Sequence, residues 1–276
     1  MRVVVTGGRG ALGRSLISAL STTGTHAITS FVSPRVAVMK GGEVAVDVAD
    51  ATLFSRALQA ARPDVVVHLA AVTGAVCDDK PDIAQAVNVG SVQTLIRVAR
   101  GLGLERIVFA SSSAVYGDVH AAPMDESTRL AGASRYARTK IDAEQMLLSA
   151  SHVQTVSLRV FNLFGPGFAN SLVNRLQASS PEHPVELRGL DSFVRDYVHI
   201  DDVVDAVDAA IVATFPHRNI TLNIGTGVPT SNRQLLAQLP TAHASIVSPQ
   251  SSYSCAKIDS ARHLLSFHPT RRITDL

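Results

Sequence analysis

The stretch VVVTGGRGALG, residues 3–13, decides the fold. Three valines run into Gly7, Gly10 and Gly13, and the helix-forming sequence GRSLISALSTTG follows at once. A strand, a glycine turn and a helix in that order aim the helix's unpaired N–H groups at one point. The glycines allow the tight turn and the close backbone approach that a pyrophosphate needs. The spacing is G-x-x-G-x-x-G, one residue longer than the common G-x-G-x-x-G. Gly7, Gly10, Ala11, Leu12 and Gly13 are therefore read as the phosphate end of a dinucleotide site.

Outward from this unit the same alternation continues. RVVVTG, HAITSF, EVAVDV, DVVVHLAA, RIVFASSS, TVSLRVFN and TLNIGTG read as strands, and their near-continuous Val and Ile content fits strands covered on both faces. Between them, TLFSRALQAARP, IAQAVNVGSVQTLIRVARGLG and SRYARTKIDAEQMLLSA read as helices. The first helix is expected to close near Gly24 and the third near Gly101 and Gly103. The pattern predicts an α/β protein with a Rossmann-type, doubly wound parallel sheet.

After Asn162 the composition shifts to Gly, Pro and Ser, with one helical stretch, SLVNRLQA. DDVVDAVDAAIVATF then reads as a helix capped by Asp201 or Asp202. The expected organisation is a dinucleotide-binding domain over 1–162, with 196–228 returning to it. A small C-terminal substrate-binding lobe would come from 163–195 and 229–276.

Composition narrows the function classes. The chain has 276 residues, 46% hydrophobic and 17% charged, enough to bury a large core. Net charge is +2 with no run of five basic residues, so a nucleic-acid or membrane partner is not expected. The segment after Met1 and Arg2 meets glycines too soon for a signal peptide, and no apolar run approaches the ~18 residues of a membrane span. Cys77 and Cys255 are far apart and lack metal-ligand spacing, which fits reduced thiols, no bound metal and a cytoplasmic protein.

The second strand, in ITSFVSPR, offers no acid for a free ribose hydroxyl. Ser33 and Arg35 follow it and could hold a 2′-phosphate, so NADP(H) is favoured, with NAD(H) open. Asp47, ending the third strand, could reach the adenine edge, with Val48 beside it.

VFASSSAVYG places Ser111, Ser112 and Ser113 at the carboxyl end of a strand, where open α/β sheets bind ligands. Some twenty residues on, Tyr136 and Lys140 are spaced i, i+4 on a helix and share a face. Hydride transfer at a carbinol needs a proton to move at oxygen, and a phenol with a pKa near 10 is a poor base. A neighbouring ammonium would favour the phenolate, and a serine hydroxyl would bond the substrate oxygen.

TGGRGALG, VHLAA, NVGS, SSSAVYG, YARTK, RVFNLFGPG, RDYVHIDD and NIGTG occur in one order along nearly the whole chain. With these motifs the sequence closely resembles the extended short-chain dehydrogenase/reductases, specifically the NAD-dependent epimerase/dehydratase group. The resemblance implies Ser112, Tyr136 and Lys140 as the catalytic trio, with Lys140 also on the nicotinamide ribose. Leu69, Ala70 and Ala71 would line the cofactor, and Asn88 would support the site. Ser113 and Asn162 would face a small-molecule substrate, and Arg195 its diphosphate. A homodimer through helices at 83–100 and 134–150 is also implied.

The chain departs from the group's pattern in three places. Ser30 and Phe31 stand where an acid is expected, which argues against tight NAD binding. SPQSSYSCAKID replaces a segment that usually carries a second diphosphate-binding Arg. The group's last helix has no counterpart up to Leu276. The expectation is an NADPH-preferring ketoreductase acting on a nucleotide sugar or another hydroxyl or ketone metabolite. An NAD-dependent nucleotide-sugar 4-epimerase and a non-catalytic dinucleotide sensor are the alternatives.

Overall fold

The computed structural model describes residues 1–35, 38–118 and 120–275. The first half alternates strand and helix: β1 (Arg2–Thr6), α1 (Ala11–Thr23), β2 (Ala27–Val32), β3 (Glu43–Ala45), α2 (Ala51–Ala61), β4 (Val65–His68), α3 (Ala75–Asp79), α4 (Pro81–Gln85), α5 (Ser91–Leu102), β5 (Arg106–Ser112), α6 (Arg135–Ser149) and β6 (Gln154–Val160). The second half holds β7 (Asn162–Phe164), α7 (Leu172–Gln177), β8 (Val185–Arg188), β9 (Phe193–Arg195), β10 (Tyr197–His199), α8 (Ile200–Val212), β11 (Asn219–Ile224), β12 (Thr230–Ser231), α9 (Asn232–Gln238), β13 (Ala244–Ser248), β14 (Ser252–Ser254) and α10 (Asp259–Leu265).

Strands β3-β2-β1-β4-β5-β6-β11 form one sheet in that order, parallel throughout. The chain winds outward from β1 in one direction through β2 and β3, then in the other from β4. A crevice therefore opens between the carboxyl ends of β1 and β4.

Residue alternation explains why the strand sequences are apolar without a break. Val3, Val5, Val65 and Val67 pack against Leu16 and Leu20 of α1 and Val203 and Val207 of α8. Val4, Val66, Ile107 and Phe109 point the other way, against Phe54 and Leu58 of α2, Leu95 of α5 and Leu147 of α6. Each such side chain contributes roughly 1.5–3 kcal/mol on full burial, so both layers hold the sheet. A smaller cluster joins Phe164, Val173, Leu176, Leu187, Tyr197 and Leu235 across β7–β10, α7 and α9.

The helix ends follow local chemistry. Gly24 closes α1 with φ 63°, and the Ser134 hydroxyl caps α6 by accepting from the Ala137 N–H. Three details differ from the sequence reading. β3 keeps only three residues as the sheet's edge strand. The third expected helix is α4 and α5 joined by a π-helical turn, Ala86–Gly90. Finally, α8 is capped by neither Asp201 nor Asp202: His199 Nδ1 accepts from the Asp201 N–H, and buried Asp202 holds Arg271 at 2.9 Å. Among the described residues no helix is long and apolar enough to cross a membrane.

Candidate active site

The glycine turn can be built only from glycine. Gly7 has φ +69°, and a Cβ there would stand 2.9 Å from the Ala70 nitrogen; at Gly13 it would meet the Gly7 carbonyl at 2.4 Å. Gly10 caps α1 without any side-chain bond, which leaves the first-turn N–H groups, Ala11 and Leu12 among them, for a ligand. In front lies a cavity of about 580 Å³ whose walls include Gly7, Gly10, Ser33, Arg35, Asp47, Val48, Leu69, Ala70 and Ala71. A glycine cradle, an uncapped 13-residue helix and an apolar slot fit a dinucleotide.

The far wall is fixed from behind. Thr6 Oγ1 accepts from the N–H groups of Leu69 and Ala70 at 3.2 and 3.1 Å and stands 2.9 Å from His68 Nδ1. His68 Nε2 meets Ser91 Oγ at 2.8 Å. Because the Ser91 hydroxyl donates to the Val87 carbonyl, the ring is assigned as the Nε2–H tautomer, accepting from Thr6. Burial between Phe54 and Phe109 pushes the His68 pKa down to about 3, so the ring is neutral. Asn88 does not line this cavity. It is buried in the π-helical turn, where it clamps the Val72 N–H and carbonyl and donates to Thr139 Oγ1 at 3.0 Å. Sequence reading had no signal for this, because the partners lie far away in the chain.

The Ser112, Tyr136 and Lys140 side chains gather where β5 ends. Ser112 closes the strand, accepts from the Ala114 N–H at 3.2 Å and faces Tyr136; half-buried Ser113 opens the turn that follows. Burial pushes the Tyr136 pKa up to about 12, which the Ser112 hydroxyl partly offsets, so the resting group is the neutral phenol. Lys140 is 2% exposed. Its ammonium donates to the Ala110 carbonyl at 2.7 Å and lies 5.8 Å from the Tyr136 ring centre. Burial lowers its pKa to about 8, against the opposing field of Glu144.

Beyond β7 a second cavity, about 530 Å³, contains both Asn162 and Arg195. Arg195 stacks 3.9 Å over the Phe193 ring, donates to Ser252 Oγ at 2.9 Å and pairs with Asp118 at 3.5 Å. The SPQSSYSCAKID segment thus braces Arg195 through Ser252. Two arginines that sequence reading missed, Arg175 and Arg188, line the same cavity, and Arg188 is held by Gln250 Oε1 at 3.2 Å. The alternation in VELR was the available signal: Val185 and Leu187 are buried, while Glu186 and Arg188 face out. The Tyr197 hydroxyl and Asn232 Oδ1, also in this wall, are buried without a protein partner. The three guanidiniums and the Tyr197 hydroxyl can donate to an anionic group, while Asn232 Oδ1, an acceptor, suits a ligand donor such as a hydroxyl.

Comparison with known proteins agrees with this architecture. Residues 3–225 match the NAD dependent epimerase/dehydratase family. The chain is 33% identical over 261 residues to a UDP-glucose 4-epimerase of Mycolicibacterium smegmatis, covering 85% of this chain and 80% of that protein. It is 29% identical over 223 residues to a 3-diazoavenalumate denitrifying reductase of Streptomyces sp, covering 76% and 72%. Among solved structures, MoeE5 in complex with UDP-glucuronic acid and NAD superposes with a TM-score of 0.85 at 26% identity, covering 100% of this chain and 96% of that one.

Proposed function

Since the chain belongs to the NAD-dependent epimerase/dehydratase family, we propose that it acts on a nucleoside-diphosphate sugar, interconverting a ring carbinol and ketone with Tyr136 as the proton donor and acceptor. The observation that carries this reading is the second cavity, where Arg195, Arg175 and Arg188 stand with Asn162 and two unpartnered buried polar atoms. A diphosphate there would take bidentate, charge-assisted bonds from the guanidiniums. The lobe built from 163–195 and 229–276 is then the substrate side.

Gly7, Gly10 and the start of α1 would hold the dinucleotide phosphates, Leu69–Ala71 its face, and Lys140 its ribose. When bound, the nicotinamide supplies or takes the hydride. The chain's part is the proton. The phenol of Tyr136, kept neutral by burial, donates to the developing alkoxide when a ketone is reduced, and Ser112 stabilises that oxygen by hydrogen bonding. In the oxidative direction the same groups work in reverse, with the Lys140 ammonium favouring the charged phenol.

Ser33 and Arg35 on the first cavity's wall, with no acid at the end of β2, favour an exchanging NADP(H) cofactor and hence net reduction. A second reading, 4-epimerisation with retained NAD, is favoured by the epimerase among the relatives. The test is to denature the purified protein, identify any released nicotinamide nucleotide, and titrate the emptied protein with NADH and NADPH. An empty site preferring NADPH supports the reductase; stoichiometric retained NAD supports the epimerase. No binding of either nucleotide would sink both readings. The groove of about 760 Å³ along α5 and α6, with Val89, Ile96 and Met146 in its wall, is the proposed surface for pairing two copies. Sedimentation as a monomer at micromolar concentration would contradict it.

A further inference from the structure

Glu144 lies one turn beyond Lys140 on α6, is 1% exposed and has no part in the chemistry above. Its carboxylate accepts from the Ser111 hydroxyl. It also accepts from Arg159 of β6, through Nη2 at 2.7 Å and Nε at 3.1 Å. Three consecutive residues of β5 are thereby matched to three residues of α6 spaced a turn apart. The Ala110 carbonyl accepts from Lys140, the Ser111 hydroxyl donates to Glu144, and Ser112 faces Tyr136. Arg159 Nη1 carries the network on to the Tyr116 hydroxyl at 2.8 Å, which donates to Asn223 Oδ1 at 2.7 Å.

Stability alone is a poor reason for this arrangement. Burying two charges costs several kcal/mol of desolvation per ion, and apolar side chains of similar volume hold a helix on a sheet at least as well. The neighbouring contacts of α6, at Ala143 and Leu147, are of that apolar kind. We propose that Glu144 and Arg159 are positioning residues for the site: the pair fixes the register of α6 against β5 and keeps the Lys140 ammonium charged and in place beside Tyr136. This inference rests on the catalytic reading of Tyr136 and Lys140.

Lys140 is faced by Tyr136 and Glu144 on its own helix, Cys77 from α3, His68 from β4, and the Phe109 ring and Ala110 carbonyl from β5. The Tyr136 phenol and the Cys77 thiol are both pushed up by burial, and the His68 ring is pushed down, so all three are neutral near pH 7. Among the described residues that leaves Glu144 as the anion opposing the desolvation of Lys140, with Arg159 behind it. Removing Glu144 takes away that field and leaves Arg159 uncompensated, and both changes favour the neutral amine.

The chain contains only four lysines, Lys40, Lys80, Lys140 and Lys257, so side-chain 13C labelling resolves them, and Lys140→Arg identifies the Lys140 signal by its loss. In Glu144→Gln the Lys140 titration is expected to move down by about one pH unit or more, the usual effect of losing a close opposite charge. The double variant Glu144→Met with Arg159→Met replaces the ion pair by apolar bulk and is expected to fold. Its Lys140 titration should also move down, and its nicotinamide nucleotide affinity should fall at pH values above the new midpoint. A folded variant of either kind that leaves the Lys140 titration where the wild type has it overturns the proposal. That readout needs no turnover, so it fails independently of the substrate assignment.

Discussion

The Lys140 ammonium stands 5.8 Å from the centre of the Tyr136 ring while hydrogen-bonded to the Ala110 carbonyl. The two residues share a helix face, as their spacing predicts, but the lysine is anchored to β5 rather than to the phenol oxygen. Burial, partly offset by the Ser112 hydroxyl, leaves Tyr136 resting as a neutral acid. Tyr136→Phe keeps the ring and removes the proton, so turnover should fall at least ~10²-fold, the lower range for a lost acid/base group. Cofactor affinity, followed by nucleotide fluorescence, should be spared. Near-wild-type turnover would remove Tyr136 from the mechanism.

Arg35 stands on the first cavity's wall beside Ser33. Arg35→Ala should weaken NADPH by about 10- to 100-fold, in line with the ~1.5–3 kcal/mol of a charged hydrogen bond, and leave NADH unchanged. Equal losses for both nucleotides in a binding titration would refute a 2′-phosphate contact.

Arg195 is braced by Phe193, Ser252 and Asp118, so it is already oriented before a ligand arrives. Arg195→Ala should raise KM for a nucleotide sugar by about 10- to 100-fold, the equivalent of one or two charged hydrogen bonds, with a smaller change in kcat. The same substitution should leave nicotinamide nucleotide binding intact. If KM stays put, the second cavity does not bind the diphosphate.

His68 supplies a pH signature of the fold. Its folded pKa is depressed to about 3, below the unfolded value of roughly 6.5. Its contribution is therefore fully present above pH ~6.5 and is lost as pH falls toward 3. Between pH 7 and pH 5 the wild type should lose about 2 kcal/mol from this residue alone, an order-of-magnitude figure from linkage. Denaturant unfolding of His68→Gln should show a flatter dependence over that window. Parallel curves would mean that His68 is not buried neutral.

Much of the fold was legible because its causes are local. The valine run into Gly7, the cap at Gly24 and the Val-rich strands report backbone geometry and two-faced burial within a few residues. The π-helical turn at Ala86–Gly90 was not legible, because its apolar spacing reads as ordinary helix and its cause is the distant partners of Asn88, Val72 and Thr139. The cap of α8 was misassigned because Asp201 and Asp202 are good capping types; Asp202 is instead drawn inward by Arg271. In the site, Ser112, Tyr136 and Lys140 stood out by spacing and motif. Arg175, Arg188, Tyr197 and Asn232 did not, because they form one wall only after α7, β8, β10 and α9 come together.

The most direct test loads the protein with oxidised nicotinamide nucleotide and mixes it with a panel of nucleoside-diphosphate sugars, following reduced nicotinamide by its near-ultraviolet absorbance. The account predicts a transient or net rise with at least one sugar nucleotide, slowed at least ~10²-fold in Tyr136→Phe. No rise with any of them, or equal rates in the two proteins, would contradict it.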